Sequence, residues 1–204
     1  SFYHASGPTV YGMAFEFFKP ARFKSAEIQG GWAMKKRIGL IGAGLMGYPM
    51  AENWLKKGFS LSVLPHKNVE KVRGLEPLGA KICATLEDLV SGSEVIILML
   101  PTSRQVEDLA LKSKSCLINL VSKEQFIVDM TTSEPSSTEV IFRQFNEKGL
   151  KFLDAPVTGG VVGAQNGTLT LFVGGSIPWL EELKDVFAGV STTQTLFGPV
   201  GAGH

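Results

Sequence analysis

The sequence predicts an α/β fold, a doubly wound and mostly parallel sheet with helices on both faces. Three observations predict it. From Lys36 onward, apolar runs of strand length alternate with stretches of helical pattern, the order of a chain built from βαβ units. Residues 95–100 form a continuous apolar run closed by Pro101, as a strand buried on both faces requires. Gly42, Gly44 and Gly47 form a G-x-G-x-x-G between a strand pattern and a helix pattern, the tight junction such a unit needs.

The elements follow in order. Residues 38–41 read as the first strand and 45–57 as its helix, which Gly58 ends. Residues 61–64 are a second strand, 69–78 a helix before Gly79, and 81–83 a short third strand. A short helix over 86–90 starts from Thr85, with Asp88 placed as its capping partner. The buried strand over 95–100 leads to a helix over 106–111. A strand over 126–128 is followed by a helix over 135–148 with Pro135 in its first turn. Residues 152–153, 169–173 and 195–197 read as further strands, with 179–187 helical between the last two.

Composition sets the outer bounds. The chain has 204 residues, 44% hydrophobic and 19% charged, which suits one sizeable domain with a real core. Lys plus Arg is 20 and Asp plus Glu 19, a balance that gives no electrostatic case for nucleic acid or a membrane surface. Cys83 and Cys116 are the only cysteines. They are too few for a disulfide framework or a zinc site, so a reducing compartment is expected, the cytoplasm before the mitochondrion. The apolar run 95–100 is far too short to span a bilayer. Residues 1–33 hold aromatic residues without periodicity and are expected to lie outside the fold. The domain proper is expected over 34–199, and a chain that begins with Ser1 reads as a fragment or a processed product. Glu16, Glu27 and the scarcity of arginine argue against a mitochondrial leader.

The glycine turn carries the chemistry. In a strand–turn–helix, the first glycine allows the turn, the second lets backbone approach a pyrophosphate, and the third lets helix and strand pack. This is a Rossmann-type nucleotide signature, with Gly42, Ala43, Gly44, Leu45, Met46 and Gly47 as its cradle. The bland alternative is a glycine turn used only for packing. About 20 residues on, an NAD site usually carries an acidic residue for the ribose hydroxyls. Here the second strand runs into Pro65, His66, Lys67 and Asn68, with no Asp or Glu between Lys57 and Glu70. Lys67 can pair with a 2′-phosphate, and His66 and Asn68 can donate to it, so NADP(H) is favoured over NAD(H). The plain reading of the same triplet is a polar loop. Leu100 and Pro101 end the buried strand where a ligand lies in such a sheet, although a structural stop at Pro101 fits these residues equally. Thr132 either faces the nicotinamide or helps to cap the next helix. Spacing does not decide between the two.

Downstream lie Asp154-Ala155-Pro156-Val157-Thr158-Gly159-Gly160, then Ala164, then Gly167-Thr168-Leu169-Thr170 and Gly174-Gly175. With the glycine turn, Met99-Leu100-Pro101 and Asp129-Met130-Thr131-Thr132-Ser133-Glu134-Pro135, this order resembles the β-hydroxyacid dehydrogenase family. That family includes 3-hydroxyisobutyrate dehydrogenases, tartronate semialdehyde reductases and glyoxylate/succinic semialdehyde reductases. The resemblance runs from about Lys36 to His204.

It implies hydride transfer between NADP(H) or NAD(H) and a small 3-hydroxy acid or its semialdehyde. Gly42, Ala43, Gly44, Leu45, Met46 and Gly47 hold the pyrophosphate, and His66, Lys67 and Asn68 the adenosine ribose. Leu100, Pro101 and Thr132 line the nicotinamide side. Thr158, Gly159 and Gly160 match the loop that holds the substrate carboxylate, and a hydroxyl with two glycine amides suits an anion. Without the family context, Thr-Gly-Gly after a strand is an ordinary turn. Three positions depart from the family pattern: Leu45 for a common Asn, His66-Lys67-Asn68 for Asn-Arg-Ser/Thr, and Thr158 for Ser.

Residues 200–204 resemble the start of the family's interdomain helix, whose catalytic lysine would fall just past His204. No catalytic residue and no metal site is therefore assigned. His66, Lys151, Lys184 and His204 are all poor proton donors for the reaction. The resemblance also implies that the helical second domain is missing, that the chain alone is inactive, and that the full-length parent is a homo-oligomer. A non-catalytic dinucleotide-binding module and a phosphogluconate or imine reductase relative are the alternatives.

Overall fold

The computed structural model describes residues 21–24, 35–65 and 69–204. The rest of the 1–33 segment, and His66, Lys67 and Asn68, lie outside the described residues. The strands are β1 (Ala21–Lys24), β2 (Ile38–Ile41), β3 (Leu61–Leu64), β4 (Lys81–Ile82), β5 (Val95–Leu98), β6 (Phe126–Asp129), β7 (Lys151–Asp154), β8 (Val157–Thr158), β9 (Leu169–Gly174) and β10 (Ser191–Gly198). The α-helices are α1 (Gly47–Lys56), α2 (Val69–Arg73), α3 (Leu86–Ser91), α4 (Ser103–Glu107), α5 (Leu117–Leu120), α6 (Pro135–Glu147), α7 (Gly160–Asn166) and α8 (Ile177–Ala188).

The sheet runs β1-β10-β9-β7-β6-β5-β2-β3-β4, with β8 paired to β9. From β4 to β7 all neighbours are parallel. β9 and β10 are parallel to each other, and β9 meets β7 antiparallel at Asp154 and Gly174. Strand order reverses between β2 and β5, so a crevice opens beyond their carboxyl ends. The doubly wound fold is thus present.

The core lies on both faces of the sheet. Along β5, Val95 and Ile97 join the cluster of Met50, Trp54 and Phe187, while Ile96 and Leu98 join that of Leu89, Phe145 and Phe152. All four β5 side chains have no exposed surface, which is why the strand is apolar throughout rather than alternating. Each such burial contributes about 1.5–3 kcal/mol.

Several elements differ from expectation. The helix expected over 69–78 stops at Arg73, and Glu76–Leu78 is a separate 3-10 turn. Pro77 cannot donate to Arg73, and Gly74 lies where a side chain would strike the Tyr48 hydroxyl. The helix expected over 106–111 begins earlier, at Ser103, because the Thr102 hydroxyl caps it, and widens into a π turn over Asp108–Lys112. Residues 200–203 are turns rather than the start of a helix, closed by a bond from the Ala202 N–H to the Pro199 carbonyl. Helix α7 was not expected, since Gly160 and Gly163 lower its helix propensity. The 1–33 segment does not lie wholly outside the fold: Ala21–Lys24 pairs antiparallel with β10. That pairing joins residues far apart in sequence and leaves no local pattern.

Candidate functional site

The glycine turn follows β2 at the point where strand order reverses. Gly42 has φ +107, and a Cβ there would lie 2.1 Å from the Met99 carbonyl oxygen. A Cβ on Gly47 would lie 2.0 Å from the Gly42 oxygen. These two glycines are required by the protein's own packing. Gly44 is different, because a Cβ there meets nothing within 4 Å. The protein leaves that space open, and the spacing predicts a ligand's pyrophosphate there. Helix α1 starts with no side-chain cap at Met46 and no acidic residue in its first turn. Its first N–H groups and positive dipole end are left without a protein anion.

Residues 42–47 form one wall of a cleft of about 780 Å³. Leu64, Pro65 and Val72 form a second wall, and Met99, Leu100 and Pro101 a third. Gln105, Asp108, Leu109 and Ser113, from α4 and the π turn and just beyond it, close the side. The structure therefore brings together Gly42, Ala43, Gly44, Leu45, Met46, Gly47, Leu100 and Pro101. Pro65 lines the cleft directly before His66, Lys67 and Asn68, which are outside the described residues. Thr132 is exposed and lies outside this lining, as do Thr158, Gly159 and Gly160.

The residue beside Thr132 has the more evident structural role. Thr131 is fully buried, and its hydroxyl accepts from the Leu100 N–H at 3.0 Å. Its own N–H donates to Asp129 Oδ1 at 2.9 Å, and the Ser133 hydroxyl donates to Asp129 Oδ2 at 3.1 Å. Asp129 thus collars the loop after β6 and, through Thr131, the end of β5. Its carboxyl is pushed up to about 6, mainly by burial, against the hydrogen bonds of Thr131 and Ser133.

Asp154 does the same at the end of β7. It accepts from the Gly201 N–H at 2.6 Å and the Gly203 N–H at 2.8 Å. Side chains on Gly174 or Gly203 would run into its carboxylate. Burial raises its pKa, opposed by those two amides and by His204. The His204 side chain is buried with its Nε2 4.0 Å from Asp154 Oδ2, and neither ring nitrogen has a hydrogen-bond partner. Burial lowers the imidazole pKa despite the nearby Asp154. Sequence reasoning missed Asp129 and Asp154. The signal was there: Phe126-Ile127-Val128-Asp129 and Phe152-Leu153-Asp154 each end an apolar run in a carboxylate.

The remaining titratable candidates lie apart from this arrangement. Lys151 stands over the Phe126 ring at 4.2 Å, and Lys184 faces Glu181 at 3.9 Å. Among the described residues no group of three His, Cys, Asp or Glu could hold a metal ion, and no helix is long and apolar enough to cross a membrane.

A glycine cradle at the switch point of a doubly wound parallel sheet defines a dinucleotide-binding Rossmann domain. The model of the NAD binding domain of 6-phosphogluconate dehydrogenase matches residues 37–198, and the chain belongs to that family. It is 39% identical over 169 residues to an NAD-dependent L-serine dehydrogenase of Pseudomonas aeruginosa, covering 83% of this chain and 56% of the relative. It is 37% identical over 168 residues to a 2-hydroxy-3-oxopropionate reductase of Escherichia coli, covering 82% and 56%. Among solved structures it is similar to a 3-hydroxyisobutyrate dehydrogenase of Mycobacterium tuberculosis with L-serine. There the TM-score is 0.76 and the identity 26%, over 83% of this chain and 57% of the other. The chain therefore spans just over half the length of the curated relatives it matches. The resemblance to hydroxyacid dehydrogenases holds across these relatives.

Proposed function

We propose that this chain is the cofactor-binding part of an NADP(H)-linked oxidoreductase acting on a small 3-hydroxy acid or its semialdehyde. The observation that carries the reading is the open space at Gly44, beside an uncapped helix N-terminus, at the switch point of the sheet. The nicotinamide, when bound, supplies or takes up the hydride.

The chain's own residues bind and orient. The amides of the turn at 42–47 hold the pyrophosphate, as helix N-termini do for phosphates. Leu64, Pro65, Leu100 and Leu109 give the cleft apolar walls. Pro101 stands at the end of β5 beside them, and Thr132 flanks the nicotinamide side. His66, Lys67 and Asn68 favour NADP(H), because Lys67 offers a cation to a 2′-phosphate and the loop has no carboxylate to repel it. Thr158, Gly159 and Gly160 hold the substrate carboxylate with a hydroxyl and two amides. The proton of the reaction is exchanged by a lysine that the family resemblance places beyond His204. The family resemblance also implies a homo-oligomer for the full-length parent.

Fluorescence titration with NADPH and NADH tests the cofactor reading. NADPH binds about tenfold more tightly than NADH, and Lys67→Ala removes most of that difference. Equal affinities in the unmodified chain overturn the preference for NADP(H). Failure to bind either nucleotide overturns the function.

A further inference from the structure

Asn53 is a polar side chain in the buried face of α1, only 9% exposed. It belongs neither to the glycine cradle nor to the Thr-Gly-Gly loop. Its amide donates to the Pro49 carbonyl at 3.0 Å within α1. It also donates across to α7, to the Ala164 carbonyl at 2.7 Å and the Gln165 carbonyl at 3.1 Å. The last carbonyls of a helix have no intrahelical partner, so α1 supplies the C-terminal cap of α7. At its other end, α7 begins at Gly160, and the Gly163 N–H reaches back to the Gly159 carbonyl at 2.9 Å. Helix α1 in turn begins at Gly47, the last residue of the cradle. Gly167 packs against the Asn53 amide, where a Cβ would lie 3.3 Å from its oxygen. The two glycine loops are thus the free ends of two short, packed helices bridged by one buried amide.

We propose that Asn53 is a positioning residue that fixes the loop at 158–160 relative to the cradle at 42–47, so that a substrate carboxylate and the cofactor are held in register. The proposal rests on the reading that these loops hold substrate and cofactor. Thr158 is already fixed on one side by its pairing with Thr170 in β9. Gly159 and Gly160, with φ of 120 and 60, lead directly into α7 on the other. A buried donor is costly to leave unmade, and three backbone acceptors around one amide admit few other placements.

The test is Asn53→Ser, whose hydroxyl can still reach the Pro49 carbonyl but not α7. Trp54→Phe is the control. It removes a buried bond of the same helix, from Trp54 Nε1 to the Val186 carbonyl at 2.8 Å, without touching α7. Hydrogen exchange is read at the amides of Gly163 and Thr168, both of which bond within the loop and α7. In Asn53→Ser they exchange about tenfold faster and in Trp54→Phe they do not, while the NADPH Kd stays within roughly twofold. Where the protein turns over a small hydroxy acid, its KM rises about tenfold in Asn53→Ser only. Unchanged exchange at both amides with NADPH still bound overturns the proposal and leaves the cofactor function standing. Failure of the unmodified chain to bind nucleotide overturns that function instead. If Asn53→Ser does not fold, the unmodified chain decides: Gly163 and Thr168 exchange as slowly as the α1 amides if the helices move as one body, and faster exchange at Thr168 overturns the proposal.

Discussion

Asp129 and Asp154 are register partners on the adjacent strands β6 and β7, and neither has any exposed surface. Each takes its hydrogen bonds from a loop at the carboxyl end of the sheet, Asp129 from residues 131 and 133, Asp154 from residues 201 and 203. Two carboxylates thus sit side by side under the region where a ligand of this fold would lie. Each raises the cost of ionising the other.

This pair makes stability depend on pH. Burial holds the Asp129 carboxyl at about 6 against an ordinary 3.8. Between those values the folded chain binds more protons than the unfolded one, so stability falls as pH rises through the window and levels off above it. Asp154, also raised, acts in the same sense. Urea unfolding between about pH 4 and pH 7 is expected to lose on the order of 2 kcal/mol more in the native chain than in Asp129→Asn. Parallel curves for the two proteins would remove the burial argument.

The cradle glycines separate folding from binding. Gly44→Ala has no neighbour to strike and is expected to change stability by less than about 1 kcal/mol while weakening NADPH binding at least roughly tenfold. Gly47→Ala meets the Gly42 carbonyl and is expected to lose folded protein. Thermal melts with nucleotide titration distinguish them, and tight NADPH binding by a folded Gly44→Ala would contradict the assignment of that space.

Thr131→Val keeps shape and removes the acceptor for the Leu100 N–H. It is expected to cost about 1–3 kcal/mol, because that amide is left unpaired. Thr132→Val, at an exposed neighbour, is expected to leave stability within about 0.5 kcal/mol. Chemical denaturation of both variants checks the contrast.

Asp154→Asn places an NH₂ group against one of two backbone donors. The amide that faces the NH₂ group is expected to lose protection from exchange more than the other, with NADPH affinity unchanged within about twofold. Unchanged protection at both would mean that the turn is held by something other than this carboxylate.

The parts legible in the sequence are those set by neighbours along the chain. β2 and β3 run over the residues expected, since each is a short apolar run bounded by turn signals. The glycine turn is legible for the same reason, because turn, close approach and helix start are written within a few residues. Features that depend on distant partners were not. A carboxylate closing an apolar run is visible in the sequence, but only the sheet reveals that Asp129 and Asp154 are neighbours. Thr131 and Thr132 are alike in type and spacing, and tertiary packing alone separates the buried hydroxyl from the exposed one. The space beside Gly74 is filled by Tyr48, which belongs to another helix.

The pairing of Ala21–Lys24 with β10 bears on how the protein should be prepared. A chain started at Met34 would keep every parallel strand of the sheet and lose only this short antiparallel one. The outer side of β10 would then carry a row of unsatisfied backbone donors and acceptors, the template on which chains add to one another. The shortened protein is expected to elute with a larger share of concentration-dependent multimers than the longer one, because β10, with 8 residues, offers a longer bare edge than β1, with 4.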